Sequence, residues 1–238
     1  MGRVGLARAL SKYGYCSRSE ARGMIVDGRV RINERVIRDP EKPVALGRDA
    51  IKVDEKEITQ AAPVYLMLNK PRGIVTTASD EKGRETVYSL LPQGLPWLAP
   101  VGRLDKASEG LLLLTNDSAW GARITAPETH LDKIYHVQVA AVASVPPLER
   151  MREGIRADGD DLLRAKQARI VRAGEKTCWL EIVLDEGKNR HIRRMLAACG
   201  VEALRLVRIG IGPLRLGNLE KGKTRPLTPQ ETVMLSSD

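Results

Sequence analysis

The hydrophobic positions of this chain fall mostly into short runs, and several runs alternate with polar positions at the period of β-strands. Residues 111–114 are four consecutive leucines that follow Gly110, a pattern typical of a strand buried on both faces. Further strands are predicted over residues 64–68, 74–77, 133–139, 167–171, 177–185, 203–209 and 214–216. The basic side chains of the last two strands are expected to alternate outward. Many strands and few helices predict an α+β fold with a largely antiparallel mixed sheet.

A smaller set of segments has helical periodicity. Residues 6–13 form the first, and Ser17 with Glu20 makes a capping box that predicts a second helix ending at Gly28. Other helices are predicted over residues 86–91, 117–124 and 192–199, from Pro146 and Pro147 through residue 155, and from residue 228 onward. In the helix over 192–199, Ile192, Met195 and Leu196 share one apolar face.

The pattern divides the chain in two. Residues 60–63, Gln-Ala-Ala-Pro, predict a short linker. Before it, residues 1–60 combine two helices with a hairpin over 30–36 and a strand over 51–53, which predicts a small αα/β domain. After it, residues 64–238 carry the long strands and predict the larger domain.

The formal net charge of +9 predicts a polyanionic partner, with nucleic acid favoured over an anionic membrane. No apolar run is long enough for a transmembrane helix, and the polar N-terminus does not resemble a signal peptide. The three cysteines are not spaced like metal ligands, and we predict that they are reduced thiols. We therefore expect a cytoplasmic monomer that holds no metal and binds no membrane.

Basic residues crowd the first domain, and Lys and Arg contact phosphates without reading sequence. Residues 16–21 and 28–33 are similar to the small RNA-binding domain first seen in ribosomal small-subunit protein four. This resemblance implies RNA binding, and the alternative is a solvated charged surface on a dimerisation module. The predicted RNA-contacting residues are Arg18, Arg22, Arg29 and Arg31.

A polar loop precedes the strand of leucines and carries Asp105, which is accessible yet anchored. In isolation, Asp105 would be a surface residue paired with Arg103 or Lys106. However, residues 102–105, Gly-Arg-Leu-Asp, and residues 109–117, Glu-Gly-Leu-Leu-Leu-Leu-Thr-Asn-Asp, resemble the signature of the RsuA-like family of bacterial ribosomal RNA pseudouridine synthases. The resemblance implies that Asp105 is the catalytic carboxylate.

Other segments extend the resemblance over nearly the whole chain. Residues 69–73, Asn-Lys-Pro-Arg-Gly, resemble the family's opening motif and are given a structural role. The segment Lys-x-Tyr-x-Val at 133–137 implies that Tyr135 contacts the target base. In the third motif, Lys188 is implied to pair with Asp105, with Arg190 as the second choice. Substrate or RNA contacts are implied for Arg103, Arg190, Arg193 and Leu206. For His191, a surface or RNA-contact role is expected rather than a catalytic one.

The family fold is a small RNA-binding domain joined to a synthase domain with a central cleft. The implied activity is isomerisation of a ribosomal RNA uridine to pseudouridine by base flipping, without a cofactor. A 23S target is slightly favoured over 16S. Whether Asp105 attacks the sugar, stabilises charge or accepts a proton stays open. The alternatives are a non-catalytic ribosome-associated RNA-binding protein, which would not need Asp105, Tyr135 and Lys188, and a hydrolase that releases uracil.

Overall fold

The structure is a computed structural model that describes residues 3–78, 80, 83–140, 148–157 and 161–236. Residues 4–58 supply one hydrophobic core, in which Leu6, Leu10, Ile25 and Val30 are fully buried. The remaining core clusters begin at residue 64. The chain thus builds separate cores on the two sides of the predicted linker.

The N-terminal domain contains two helices and short strands. Ser17 accepts a hydrogen bond from the Glu20 amide and the Glu20 carboxylate accepts one from the Ser17 amide, which confirms the capping box. The second, third, fifth and sixth strands form an antiparallel sheet, and the first pairs with the fourth. The elements are β1 (Val4–Gly5), α1 (Leu6–Lys12), α2 (Arg18–Val26), β2 (Val30–Ile32), β3 (Arg35–Ile37), β4 (Pro43–Val44), β5 (Ile51–Val53) and β6 (Lys56–Glu57).

The larger domain is built on a mixed sheet. Its elements are β7 (Tyr65–Lys70), β8 (Ala99–Val101), β9 (Glu109–Thr115), α3 (Ser118–Thr125), β10 (Lys133–Ala140), α4 (Leu148–Glu153), β11 (Ile155–Arg156), β12 (Leu162–Leu163), β13 (Gln167–Ala173), β14 (Thr177–Leu184), α5 (His191–Ala197), β15 (Ala203–Ile211), β16 (Leu214–Arg215), β17 (Thr224–Pro226) and α6 (Pro229–Met234), with 3-10 turns at Val87–Leu90 and Pro127–Thr129. The predicted prolines at the start of α4 lie outside the described residues.

The main sheet has the strand order β13-β14-β10-β15-β9-β7-β17, with β16 beside β15 and β8 beside β9. Neighbouring strands run antiparallel except for β9 and β15, which are parallel. The predicted α+β class with a mixed sheet is therefore confirmed.

Strand β9 is buried on both faces, as its sequence predicted. Leu111 and Leu113 belong to one core cluster, while Leu112 and Leu114 belong to the cluster on the opposite face. All four side chains are fully buried. This strand therefore fixes the end of the loop that carries Asp105.

Two predictions about the strands were wrong. Residues 74–77 form no regular strand, because Val75 makes only an isolated bridge with Thr86. The basic residues of β15 were expected to point outward, yet Arg208 is buried and donates from Nε to the Leu111 carbonyl at 2.7 Å. Alternation alone does not reveal that both faces of this part of the sheet are covered.

Candidate active site

The loop between β8 and β9 carries Asp105 and enters the sheet at Gly110. Gly110 has φ +101°, and a Cβ there would lie 2.2 Å from the carbonyl oxygen of Arg208. Only glycine fits this close approach of the parallel strand β15. The loop's exit is therefore fixed by backbone packing.

A buried lysine, Lys70, is hydrogen-bonded to the backbone of this loop. Lys70 ends β7 opposite Gly110, and its Nζ donates to the carbonyls of Asp105 at 3.2 Å, Ser108 at 2.8 Å and Pro71 at 3.1 Å. Burial lowers the pKa of Lys70 to about 8, and the carboxylates of Asp105 and Glu109 oppose that shift. Lys70 thus donates its hydrogen bonds to backbone carbonyls and leaves the Asp105 carboxylate free of a hydrogen bond from its ammonium group.

The segment after Lys70 adds two further contacts to the same loop. The Gly73 amide donates to the Lys106 carbonyl at 2.8 Å, and the Thr76 hydroxyl donates to the Leu104 carbonyl at 2.9 Å. The motif at residues 69–73 therefore lies against the loop and holds its backbone. The sequence predicted a structural role for this motif but not the function of Lys70, because its side-chain partners lie up to 38 positions away.

The Asp105 carboxylate is accessible, with 38% of the side chain exposed, and one Oδ2–Nη1 distance of 4.0 Å joins it to Arg190. Arg190 has φ +48° and occupies the N-cap position of α5. Lys188 instead donates to the Leu162 carbonyl at 3.0 Å and lies 3.7 Å from Glu186. Of the two predicted partners, the structure thus brings Arg190 to Asp105.

Arg193 also reaches the loop. Its Nη2 donates to the Ala107 carbonyl and its Nη1 to the Ala203 carbonyl, each at 3.0 Å. Its Nε is buried without a hydrogen-bond partner among the described residues. Burial lowers the pKa of Arg193, and Arg190 nearby acts in the same direction. Arg193 thus ties α5 to the loop.

Tyr135 lies in the sheet at the level where the loop ends. It pairs with Arg208 of β15, which pairs with Gly110 of β9, so two strand spacings of about 10 Å in total separate Tyr135 from Gly110. The partly buried Tyr135 packs against the cluster that contains Leu206 and against the one that contains Leu104. The fold thereby gathers Tyr135, Leu206 and the Asp105 loop.

Two further residues of the predicted motifs, Arg103 and His191, differ in solvent exposure. Arg103 is exposed beside Asp105. His191 is buried, so the predicted surface role is wrong, and burial lowers its pKa. An imidazole at the start of an amphipathic helix gives no sequence signal of its burial.

The predicted RNA-contacting arginines of the N-terminal domain fall into two kinds. Three pair with acids of the same domain: Arg22 with Glu41, Arg29 with Asp54 and Arg31 with Glu55. Arg18 is exposed at the start of α2. Among the described helices, none is long and apolar enough to cross a membrane.

The chain thus joins a mixed sheet, which carries the Asp105 loop, to a small basic domain, and comparison with known proteins shows which class of enzyme has this combination. The model of the RNA pseudouridylate synthase family matches residues 64–198, and the S4 domain model matches residues 4–49. This chain belongs to the RNA pseudouridylate synthase family and carries an N-terminal S4 domain. The resemblances noted in the sequence are confirmed.

Individual relatives cover nearly the full length. The chain is 35% identical over 235 residues to the ribosomal large subunit pseudouridine synthase B of Bacillus subtilis (strain 168), covering 97% of this chain and 94% of that protein. It is 37% identical to an uncharacterized RNA pseudouridine synthase of Aquifex aeolicus (strain VF5), covering 99% and 94%. A crystal structure of a pseudouridylate synthase matches with a TM-score of 0.67 and 30% identity, covering 98% and 99%.

Proposed function

We propose that this enzyme converts a uridine of ribosomal RNA into pseudouridine, and that its target lies in the large-subunit 23S RNA. The name of the Bacillus subtilis relative and its nearly complete coverage support the choice of RNA and subunit. The S4 domain and the net charge of +9 support binding to a structured polyanion.

One observation carries the assignment of the catalytic group. Asp105 sits on a loop whose carbonyls are held by Lys70, Gly73 and Thr76, while its carboxylate stays accessible beside the Arg190 guanidinium. A reacting group has to be held in one position while its own atoms stay accessible to the substrate. Asp105 meets both conditions.

The reaction rearranges the substrate without adding or removing atoms overall. The bond between ribose carbon 1′ and uracil nitrogen 1 breaks, the base turns, and carbon 5 joins carbon 1′. Carbon 5 then loses a proton and nitrogen 1 gains one. Positive charge develops on the sugar as the first bond breaks, and the Asp105 carboxylate stabilises it. Arg190 supplies the positive charge that balances the carboxylate in the free enzyme.

The target uridine has to leave its stack to reach Asp105. A flipped base needs an aromatic or apolar surface, and Tyr135 provides an aromatic one between the clusters of Leu104 and Leu206. Leu206 contributes the apolar wall. The placement of these side chains around the loop supports both roles.

The test is tritium release from unmodified 23S and 16S transcripts labelled at uracil carbon 5, followed by mapping of pseudouridine in cells with and without the gene. We expect release from 23S RNA and loss of one modified position in the deletion strain. Release from 16S RNA alone would move the target to the small subunit. Free uracil among the products would indicate a hydrolase and contradict the proposal.

A further inference from the structure

Some basic residues of the S4 domain are already neutralised by acids of the same domain, and others are not. Arg22, Arg29 and Arg31 each form an ion pair inside the domain. A second set consists of Arg8 and Lys12 on α1 and Arg18 on α2, here called the groove cations. No carboxylate lies within 4.0 Å of a groove cation in the residues that the structure covers. Their charge is therefore available to an external anion.

The groove cations line a cavity of about 250 Å³ between the two domains. Its opposite wall comes from the larger domain and includes Trp97, Gly102 and Ser118. Backbone hydrogen bonds hold the chain beside the cavity: the Trp97 amide donates to the Gly14 carbonyl of the N-terminal domain at 2.7 Å, and the Ala61 amide of the linker donates to the Tyr13 carbonyl at 3.1 Å. Among the residues that the structure describes, no acidic one lines the cavity, so the charge of the lining is complementary to an anion.

The groove also adjoins the catalytic loop. Gly102 lines the groove and is three residues from Asp105, so their Cα atoms are at most about 11 Å apart. Trp97 is fixed by stacking on Tyr88, with ring centroids 4.8 Å apart and an interplanar angle of 12°. Fixed aromatic rings beside cations are the usual components of single-strand binding sites.

On the basis of the proposed function, we propose that this interdomain groove binds the backbone phosphates of a single-stranded RNA segment that adjoins the flipped uridine. The groove cations hold the phosphates, and Trp97 offers a stacking surface to a neighbouring base. Within the S4 domain, phosphate binding then falls to the groove cations, which face the catalytic domain, whereas the paired arginines hold contacts inside their own domain.

The first experiment measures binding of a fluorescein-labelled oligouridylate to the full-length protein across a salt series. We expect the double variant Arg8→Gln with Lys12→Gln to bind about 25-fold more weakly at 0.1 M salt, since each single-strand phosphate contact contributes a salt slope of about 0.7. The slope should fall by about 1.4. Both side chains are at least partly exposed, so thermal unfolding should not change.

The matched control is Arg35→Gln with Lys52→Gln, which removes the same charge from the sheet of the same domain. Lys52 is paired with Glu34, and both control positions lie outside the groove. We expect its affinity to stay within about threefold of wild type. Equal losses in both double variants would show a general effect of net charge and overturn the groove, as would full affinity in the groove variant.

A third variant blocks the groove with an uncharged side chain, and so tests where the RNA binds without changing the charge of the protein. Ala122 is exposed on α3 and lines the groove, so Ala122→Leu narrows it without altering charge or helix propensity appreciably. We expect severalfold weaker binding with an unchanged salt slope. Unchanged affinity would contradict occupation of the groove by RNA. These binding measurements need no turnover. They can therefore contradict the groove while wild-type tritium release supports the proposed function, and they can support the groove while tritium release is absent.

Discussion

The two partners of the Asp105–Arg190 pair are supported in opposite ways. The Asp105 loop is held through its backbone by Lys70, Gly73 and Thr76 and by the buried strand β9. Arg190 extends a long side chain, 52% exposed, from a left-handed position before α5. The carboxylate is thus positioned by the fold, whereas the guanidinium can adjust. Changing the charge at either position should alter chemistry more than structure.

The largest effect is expected from Asp105→Asn. The amide is nearly isosteric and the loop is held by carbonyl contacts, so folding and RNA affinity should stay close to wild type. Pseudouridine formation should fall below detection, because an amide carries no negative charge to the reacting sugar. The measurement is tritium release with RNA binding in parallel.

Asp132→Asn is the matched control for that variant. Asp132 pairs with Lys166 on the surface at 2.9 Å, so its loss should leave turnover unchanged. Turnover of the Asp105→Asn variant within tenfold of wild type would remove Asp105 from the chemistry.

The second effect separates the two basic partners. Arg190→Gln should lower turnover by about 10² to 10³, the size of loss seen when one preorganised polar group of an active site is removed, because the Asp105 carboxylate loses the guanidinium that balances its charge. Lys188→Gln should change it by no more than about threefold, because Lys188 contacts Leu162 and Glu186. The measurement is the single-turnover rate of each variant. A larger loss in Lys188→Gln than in Arg190→Gln would instead make Lys188 the partner of Asp105, as the sequence favoured.

The third effect concerns the base platform. Stacking contributes about 1–3 kcal/mol per base, so Tyr135→Ala should lower kcat/KM by about 5- to 150-fold. Tyr135→Phe retains the ring and should stay near wild type. A Phe variant as impaired as the Ala variant would instead assign proton transfer to the hydroxyl.

The fourth effect is expected from Lys70→Met, which loosens the loop without removing the carboxylate. Three carbonyls lose their donor, and we expect about 1–3 kcal/mol of destabilisation and roughly tenfold slower turnover. Unchanged turnover would show that β9 alone positions Asp105.

Lys70 also predicts a pH dependence of stability. Burial lowers its pKa from 10.5 to about 8, so the native state releases this proton at lower pH than the unfolded chain. The Lys70 contribution to the free energy of unfolding should therefore rise between pH 8 and 10.5, by up to about 3 kcal/mol. Denaturant unfolding of wild type and Lys70→Met across this range measures it. A constant difference between the two proteins would contradict the shift.

The sequence by itself determined the features that depend on neighbouring residues. Four leucines identified a strand with two buried faces, Ser17 with Glu20 identified the start of α2, and the motif around Asp105 identified the family. Each of these signals is contained within a few consecutive positions, because strand alternation, helix capping and loop chemistry are local.

Only the tertiary structure decided which charges meet. Arg29 finds Asp54 across the sheet, Arg190 rather than Lys188 reaches Asp105, and Arg208 is buried against Leu111 although its alternation suggested solvent. Ion pairing and desolvation depend on groups brought together from distant positions by the packing of strands and domains. A basic residue has the same local pattern whether it faces an acid, a carbonyl or water, and only the fold distinguishes these surroundings.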